Sequence, residues 1–292
     1  METINMKTAV MTDTNSGITK DIAGELGIYL ISMPLIINDT TYYENETITE
    51  AEFFLALSGD KHITTSQPSP GDVMELWDQI LSEGFDELVY IPMSSGLSNS
   101  CAAAMAYAED YEGKVEVIDN HRISVTLYES VLHARELALR GASAKEIKAE
   151  LENDAYNSSI YLAVNTLEYL KKGGRITPAA ALVGTMLSIK PILTIQGEKL
   201  DSYARSQGPM KRAEEKMITA IRSDLEKRFP HFDASRLHIG AAGAGLTAKQ
   251  QEEWVALLHS KFPEADVFYS PLSASISVHT GPGAVGVGIS FR

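Results

Sequence analysis

Short apolar runs alternate with helical segments through the first half of the chain. Residues 7–12 and 88–93 have the length and the apolar character of buried strands. Helix start signals recur between such runs, with N-cap candidates at Thr49, Ser69 and Ser143. Strands that alternate with helices form parallel βαβ units, because two parallel strands need a long crossover connection. The pattern predicts an α/β fold whose first half is a doubly wound parallel sheet.

The pattern changes near residue 155. Residues 192–195 and 199–204 have the pattern of a hairpin, whereas the long helix predicted over 210–228 indicates a crossover. Hairpin and crossover signals together predict a mixed sheet. A chain of 292 residues also has the length of two domains. We therefore predict an N-terminal α/β domain over residues 1–155 and a C-terminal α/β domain with a mixed sheet over residues 156–292.

The charge and cysteine content exclude several classes of function. Lys and Arg number 25 against 39 Asp and Glu, which gives a net charge of −14 and disfavours binding to nucleic acid. The single cysteine, Cys101, cannot form an internal disulfide, which is typical of a reducing cytoplasm. No stretch reaches the ~18 apolar residues of a membrane span. We therefore expect a soluble cytoplasmic protein.

Two hydroxyl-rich segments in the first half are candidates for holding a small anion. They cover residues 64–72 and 94–100, and the second lies between a predicted strand and a helix that begins near Asn99. A helix start offers unpaired N–H groups and the positive end of a dipole, so a carboxylate or phosphate is favoured there. Each segment alone also fits a turn or a helix cap. Together they favour an anion site.

Two turns in the second half carry further candidates. Gly173 and Gly174 permit close approach before Arg175, although the same residues also fit a helix end with solvated charges. His279 lies in a predicted polar turn rich in glycine, where a structural role is the alternative to ligand contact. The histidines lack the spacing of a metal site, so we expect no metal.

Residues 178–189 are almost wholly apolar and predict a helix. A helix of about 12 residues is too short to cross a bilayer. It is therefore either an ordinary core helix or one wall of a hydrophobic tunnel.

The order of these segments resembles the DegV family over essentially the whole chain. The resemblance rests on Asp13-Thr14-Asn15, Thr65-Ser66-Gln67-Pro68-Ser69, Ser94-Ser95-Gly96-Leu97-Ser98, residues 167–176 and His279-Thr280-Gly281-Pro282-Gly283. It implies a two-domain α/β protein that holds a long-chain fatty acid between its domains. It also implies a carrier that presents the carboxylate to a separate fatty acid kinase, whose acyl phosphate product enters phospholipid synthesis.

The resemblance also assigns roles to particular residues. The expected carboxylate contacts are Thr65, Ser66, Ser95 and Ser98, and Arg175 and His279 are expected near the head group or the surface that faces the kinase. Two positions depart from the family's pattern. Asn99 stands where glycine is usual, and Gln207 stands where a surface arginine is expected, with Arg205 as a substitute. The second departure bears on kinase docking more than on lipid binding.

The sequence therefore leaves two hypotheses. The first is a lipid-binding carrier and not an enzyme: a monomer without cofactor, with a fatty acid and a kinase subunit as partners and a transient membrane contact left open. The second is an acyl- or phosphoryl-transfer enzyme that uses a serine of the 94–100 turn. Such a serine needs a neighbouring base, for which the candidates are His121 and His279.

Overall fold

The computed structural model describes residues 6–59, 61–181, 189–196 and 199–292. These residues form an α/β fold with a four-stranded, a six-stranded and a three-stranded sheet. The four-stranded sheet is parallel and the six-stranded sheet is mixed. The predicted fold class, a parallel sheet followed by a mixed one, is therefore confirmed.

Strands and helices alternate along most of the chain. The strands are β1 Thr8–Asp13, β2 Tyr29–Ile31, β3 Pro34–Ile37, β4 Thr40–Tyr43, β5 Ile63–Thr65, β6 Glu87–Ile91, β7 Val115–Val117, β8 Ser159–Ala163, β9 Ile189–Ile195, β10 Asp201–Gln207, β11 Leu237–Gly243, β12 Asp266–Pro271 and β13 Val285–Phe291. The α-helices are α1 Lys20–Leu26, α2 Glu50–Leu57, α3 Pro70–Ser82, α4 Ser100–Ala108, α5 Ser124–Leu139, α6 Ala144–Asn153, α7 Glu168–Gly173, α8 Pro178–Ala181, α9 Met210–Lys227, α10 Ala248–Lys261 and α11 Ala274–Thr280. The predicted N-caps Thr49, Ser69 and Ser143 each accept a hydrogen bond from the backbone N–H three residues on.

The four-stranded sheet has the order β2-β1-β6-β7. Its central strand β6 is buried from Leu88 to Ile91, as expected for a parallel strand covered on both faces. Helix α3 packs Trp77 against Tyr90 on one face, and α5 lies against β1. The last strand of this sheet ends at Val117, and the first strand of the next large sheet begins at Ser159. The domain boundary near residue 155 stays a prediction.

The six-stranded sheet has the order β10-β9-β8-β13-β11-β12, and α5 packs on the face opposite α9 and α10. Glycines make this contact close. A Cβ at Gly240 would lie 2.2 Å from Val125 Cβ, and one at Gly288 would lie 2.8 Å from Val125 Cγ2. A larger residue at either position would collide with α5, so the glycines allow this helix to pack directly on the sheet. Helix α5 is therefore shared by the two large sheets.

A small antiparallel sheet with the order β4-β3-β5 was not expected from the sequence. Residues 28–37 are mostly apolar and their sequence pattern predicts one strand, but this prediction is wrong, because the segment divides into β2 and β3. Pro34 begins β3, and a proline lacks the N–H that a continuing parallel ladder would need. The small sheet places Thr65 at the end of β5, opposite Leu35.

Two further expectations are corrected near the candidate site. His279 lies in the last turn of α11 and not in a polar turn, because Ser273 caps this helix by accepting from Ile276 N–H. The glycine-rich segment begins only after the helix, at Gly281. Of the predicted apolar helix 178–189, residues 182–188 lie outside the described residues, and Ile189 belongs to β9. In the described part of the chain, no helix has the length and apolar character needed to cross a membrane.

Candidate functional site

A cavity lies between the two large sheets. Its volume is about 190 Å³. The part of the chain before residue 155 supplies one set of apolar lining residues, which are Met33, Met93, Leu97, Ile123 and Val125. The part after it supplies the other, which includes Ile160, Leu162, Leu170, Ile195, Leu200, Ala242, Leu272, Ile276 and Val287. Such walls favour a hydrocarbon ligand because they offer few hydrogen-bonding groups.

Polar side chains also line this cavity, and they include most of the residues predicted from the sequence. Five of the six predicted site residues line it, namely Thr65, Ser66, Ser98, Arg175 and His279. They come from the end of β5, the loop before α4, the turn after α7 and the last turn of α11. Segments far apart in the chain therefore bring their polar groups to one cavity.

Thr65 and His279 form the central pair of this polar cluster. Thr65 Oγ1 lies 3.0 Å from His279 Nε2. On its other side the imidazole packs against Gly173, where a Cβ would lie only 2.0 Å from His279 Nδ1. Glycine at this position therefore lets α7 approach α11 closely enough to hold the ring against Thr65.

Burial lowers the pKa of His279 to about 4, and the nearby charge of Arg175 acts in the same direction. The imidazole is therefore neutral at pH 7. Its Nδ1 atom is buried and has no hydrogen-bond partner among the described residues. Because an unpaired buried N–H is rarer than an unpaired acceptor, the proton is best placed on Nε2. In that tautomer His279 donates to Thr65, and the proton of the Thr65 hydroxyl stays free to reach a ligand.

Arg175 supplies the positive charge beside this pair. Its Nε donates to Leu97 O at 3.3 Å and its Nη1 to Gly173 O at 2.5 Å. The remaining Nη2 has no acceptor within the described part of the chain, so it can donate to an anion in the cavity. Gly174, with φ of 69°, ends α7 just before Arg175. The Gly-Gly-Arg segment thus both ends a helix and places a cation in the cavity.

Ser95 is the predicted site residue that the structure does not bring to the cavity. It is exposed, and its backbone N–H donates to Asp119 Oδ1 at 3.3 Å. Ser98 lines the cavity instead, and its Oγ accepts from Ser100 N–H at the start of α4. In the described regions, no hydrogen bond joins the Ser95 hydroxyl to His121 or His279. The nucleophile–base pair that the enzyme hypothesis requires is therefore not formed by these residues.

Sequence reasoning missed two hydroxyl residues of α11. Ser275 and Thr280 are buried and line the cavity, and Thr280 Oγ1 has no hydrogen-bond partner among the residues described. Because the sequence predicts a turn around His279, it does not indicate which hydroxyl groups of this segment face inward. Ser273 was the one available signal, since it is an N-cap residue.

A buried hydrogen-bond network holds α11 in place. Asp13 accepts hydrogen bonds from the backbone N–H groups of Met93 and Asn15, and burial raises its pKa to about 6. The Asn15 side chain in turn accepts from the Ser273 hydroxyl at 2.9 Å. The end of β1 is thereby tied to the N-terminus of the helix that carries His279.

In the described part of the chain, no group of three His, Cys, Asp or Glu side chains could hold a metal ion. The polar cluster instead combines hydroxyl donors, one arginine and a neutral imidazole. This arrangement can bind a monovalent anion attached to an apolar body.

Known proteins are similar to this chain over nearly its whole length. A family model described as "Uncharacterised protein, DegV family" matches residues 7–292. A DegV domain-containing protein of Listeria innocua is 28% identical over 99% of this chain and 100% of its own length. One from Deinococcus radiodurans is 30% identical, over 97% of this chain and 98% of its own.

Solved structures are similar over nearly the whole chain. A DegV family protein from Thermus thermophilus, whose structure is described as one of fatty acid binding, superposes with a TM-score of 0.86 at 31% identity. DegV from Bacillus subtilis, described as a fatty acid binding protein, superposes with a TM-score of 0.84 at 25% identity. Each comparison covers 98% of this chain and 100% of the other.

Proposed function

The chain belongs to the DegV family, and we propose that it binds a long-chain fatty acid in the cavity between its two large sheets. The observation that carries this proposal is an apolar cavity whose polar residues include Thr65, Arg175 and His279. Two similar proteins of known structure are described as binding fatty acids. Each buried CH₂ group contributes about 0.8 kcal/mol. The acyl chain would therefore supply most of the affinity, and the polar residues would fix its orientation.

The carboxylate is proposed to lie against Thr65 and Arg175. His279 would donate from Nε2 to Thr65 Oγ1, and the Thr65 hydroxyl would donate to the carboxylate. Arg175 would add a charged donor from Nη2. Ser66 and Ser98 line the same cavity and are proposed as further donors, whereas Ser95 is assigned no contact because it is exposed.

We further propose that a separate fatty acid kinase acts on the bound acid, so that this chain is a carrier and catalyses no step. The kinase would form a bond between a carboxylate oxygen and the γ-phosphorus of ATP, and ADP would leave. The support is the resemblance to the family and the position of Thr65, Arg175 and His279, which also line a second cleft. A kinase could reach the carboxylate through that cleft.

Other features of the proposed carrier follow from the sequence and the family resemblance. We propose that it acts in the cytoplasm as a monomer, without a cofactor or a metal. A transient membrane contact would suffice to load the acid, since the net charge of −14 disfavours lasting attachment to an anionic surface.

Titration of the delipidated protein with palmitate tests the binding proposal. Wild-type protein should take up one acid, and protein purified from cells should carry long-chain acids in native mass spectrometry. Thr65→Val keeps the side-chain shape but loses the hydroxyl, and a hydrogen bond to a charged group corresponds to about 10- to 100-fold in affinity. Ser95→Ala is the matched control and should bind normally. A wild-type protein that neither carries nor takes up acid refutes the proposal.

Reconstitution with a fatty acid kinase subunit and ATP tests the carrier proposal. Palmitoyl phosphate should form only when kinase and loaded carrier are both present. Product formation by the chain alone, abolished in Ser95→Ala, would instead support the enzyme hypothesis.

A further inference from the structure

A second cleft borders the polar residues of the apolar cavity. Its volume is about 620 Å³. Thr65, Arg175 and His279 line both the cavity and this cleft, so they form a partition between the two spaces. A head group held at the partition would therefore have the apolar cavity on one side and the second cleft on the other.

Positively charged side chains line this cleft, although the chain as a whole is strongly acidic. Lys61, Lys172 and Arg175 line it, with His62 beside them, and Glu168 is the carboxylate among the lining residues. Neither lysine has an ion-pair partner within the described residues. Both are exposed, so their ammonium groups can turn toward an anion in the cleft. Among the described lining residues, three positively charged side chains face one carboxylate, which favours a ligand with more than one negative charge.

We propose that this cleft binds the phosphoryl group of a long-chain acyl phosphate. The inference rests on the proposed function and extends it from the free acid to the phosphorylated product. A phosphoryl group attached to a carboxylate oxygen at the partition would project into the cleft, where Lys61 and Lys172 can pair with its oxygens. The free acid ends at the partition and does not need either lysine. The two lysines therefore distinguish the product from the substrate.

Helix α7 offers a matched control for this proposal. Lys171 and Lys172 are neighbours in its last turn and both are exposed, but only Lys172 lines the cleft. A general effect of lost positive charge would appear equally in Lys171→Ala and Lys172→Ala. A phosphoryl site would respond to Lys172→Ala and Lys61→Ala and not to Lys171→Ala.

The experiment compares two probes with the same tail length on delipidated protein. Hexadecyl phosphate carries the phosphate group, and palmitate carries the carboxylate. Lys61→Ala and Lys172→Ala should each weaken hexadecyl phosphate by about twofold to fivefold, the range for an exposed ion pair. Palmitate affinity should stay within twofold in both variants. The difference should shrink at 0.5 M salt, because exposed charges are screened.

Several outcomes would overturn the proposal, and they separate it from the proposed function. If palmitate binds and hexadecyl phosphate responds equally to Lys171→Ala and Lys172→Ala, or to neither, the cleft is no phosphoryl site, but the carrier proposal stands. If the lysine variants lower kinase turnover while hexadecyl phosphate affinity is unchanged, the cleft contacts the kinase instead. If wild-type protein does not bind palmitate, both proposals fail. Thermal unfolding of each variant checks that its fold is intact.

Discussion

His279 should make the unliganded protein lose stability as the pH falls from 7.5 to 4. Burial and Arg175 lower its folded-state pKa to about 4, whereas the imidazole of the unfolded chain has its ordinary value near 6.5. Between these two pH values the unfolded state binds the extra proton and the folded state does not. The free energy of unfolding therefore falls as the pH is lowered through this window, and it levels off below pH 4.

The size of the effect follows from the width of that window. A proton taken up only by the unfolded state changes the free energy of unfolding by about 1.4 kcal/mol per pH unit. Between pH 6.5 and 4 the contribution of His279 is therefore about 3 kcal/mol. Asp13 and Glu44 act in the opposite direction. Burial raises their pKa values to about 6 and about 7, so their folded forms gain protons and stability as the pH falls.

A difference between two proteins isolates the contribution of His279 from those carboxyl groups. Urea unfolding of wild type and His279→Gln is measured at several pH values between 7.5 and 4. The stability of the variant should rise relative to that of wild type by about 3 kcal/mol as the pH falls. His62→Gln, which removes an exposed imidazole, is the control for the loss of a histidine as such.

The bound acid provides a second readout. A carboxylate beside Thr65 favours the protonated imidazole, so saturating palmitate should lessen the loss of stability at low pH. If the curves of wild type and His279→Gln run parallel over the whole range, His279 is not held neutral by its surroundings. In that case the proton assignment on which the head-group proposal depends is wrong.

Three other substitutions test the walls of the cavity. Gly173→Ala should displace the His279 ring, because its Cβ would lie 2.0 Å from Nδ1, and should weaken palmitate binding in a titration as Thr65→Val does; unchanged binding would show that the Thr65–His279 contact is dispensable. Gly286→Ala should fold normally, since its Cβ would lie 3.5 Å from Leu162 Cδ1, yet its methyl group enters the cavity. Affinity for long acids should fall about fourfold for each CH₂ displaced, and an equal effect on C12 and C18 acids would count against this position of the tail. Arg175→Gln should weaken palmitate binding and flatten its salt dependence, which a calorimetric titration at two salt concentrations measures.

The broad architecture could be predicted from the sequence because it depends on local patterns. Alternating strands and helices indicate a parallel sheet, and N-caps such as Thr49 and Ser143 act within four residues. The small sheet could not be predicted in this way, because β4 and β5 have only four and three residues and their pairing depends on β3. Helix α11 could not be predicted from the sequence for a related reason. Its glycine-rich continuation dominates the local composition, whereas its cap, Ser273, is a single residue.

The candidate site shows a different limit of sequence reasoning. The resemblance to a family identified the segments, and five of six residues line one cavity. It could not separate Ser95 from Ser98, because both follow the same strand and only the geometry of the turn decides which one faces inward. The neutral state of His279 was equally invisible, since it depends on burial and on Arg175 from another helix end. Hydrogen-bonding partners that depend on tertiary packing cannot be predicted from the spacing of residues in the sequence.

The division of labour between tail and head group bears on how such a carrier could work. If about 15 CH₂ groups are buried at about 0.8 kcal/mol each, the tail alone accounts for about 12 kcal/mol before the costs of binding. Against that amount, the conversion of a carboxylate to an acyl phosphate changes the total affinity little, so one cavity can retain both. What changes is the charge at the partition formed by Thr65, Arg175 and His279. Because the imidazole of His279 is neutral, Arg175 carries the one positive charge among the three residues of the partition. That charge matches the single negative charge of the acid. The additional charge of the product would then be met by the exposed Lys61 and Lys172 in the second cleft. In that arrangement burial of the tail keeps the ligand bound, and the lysines of the cleft distinguish the phosphorylated form from the free acid.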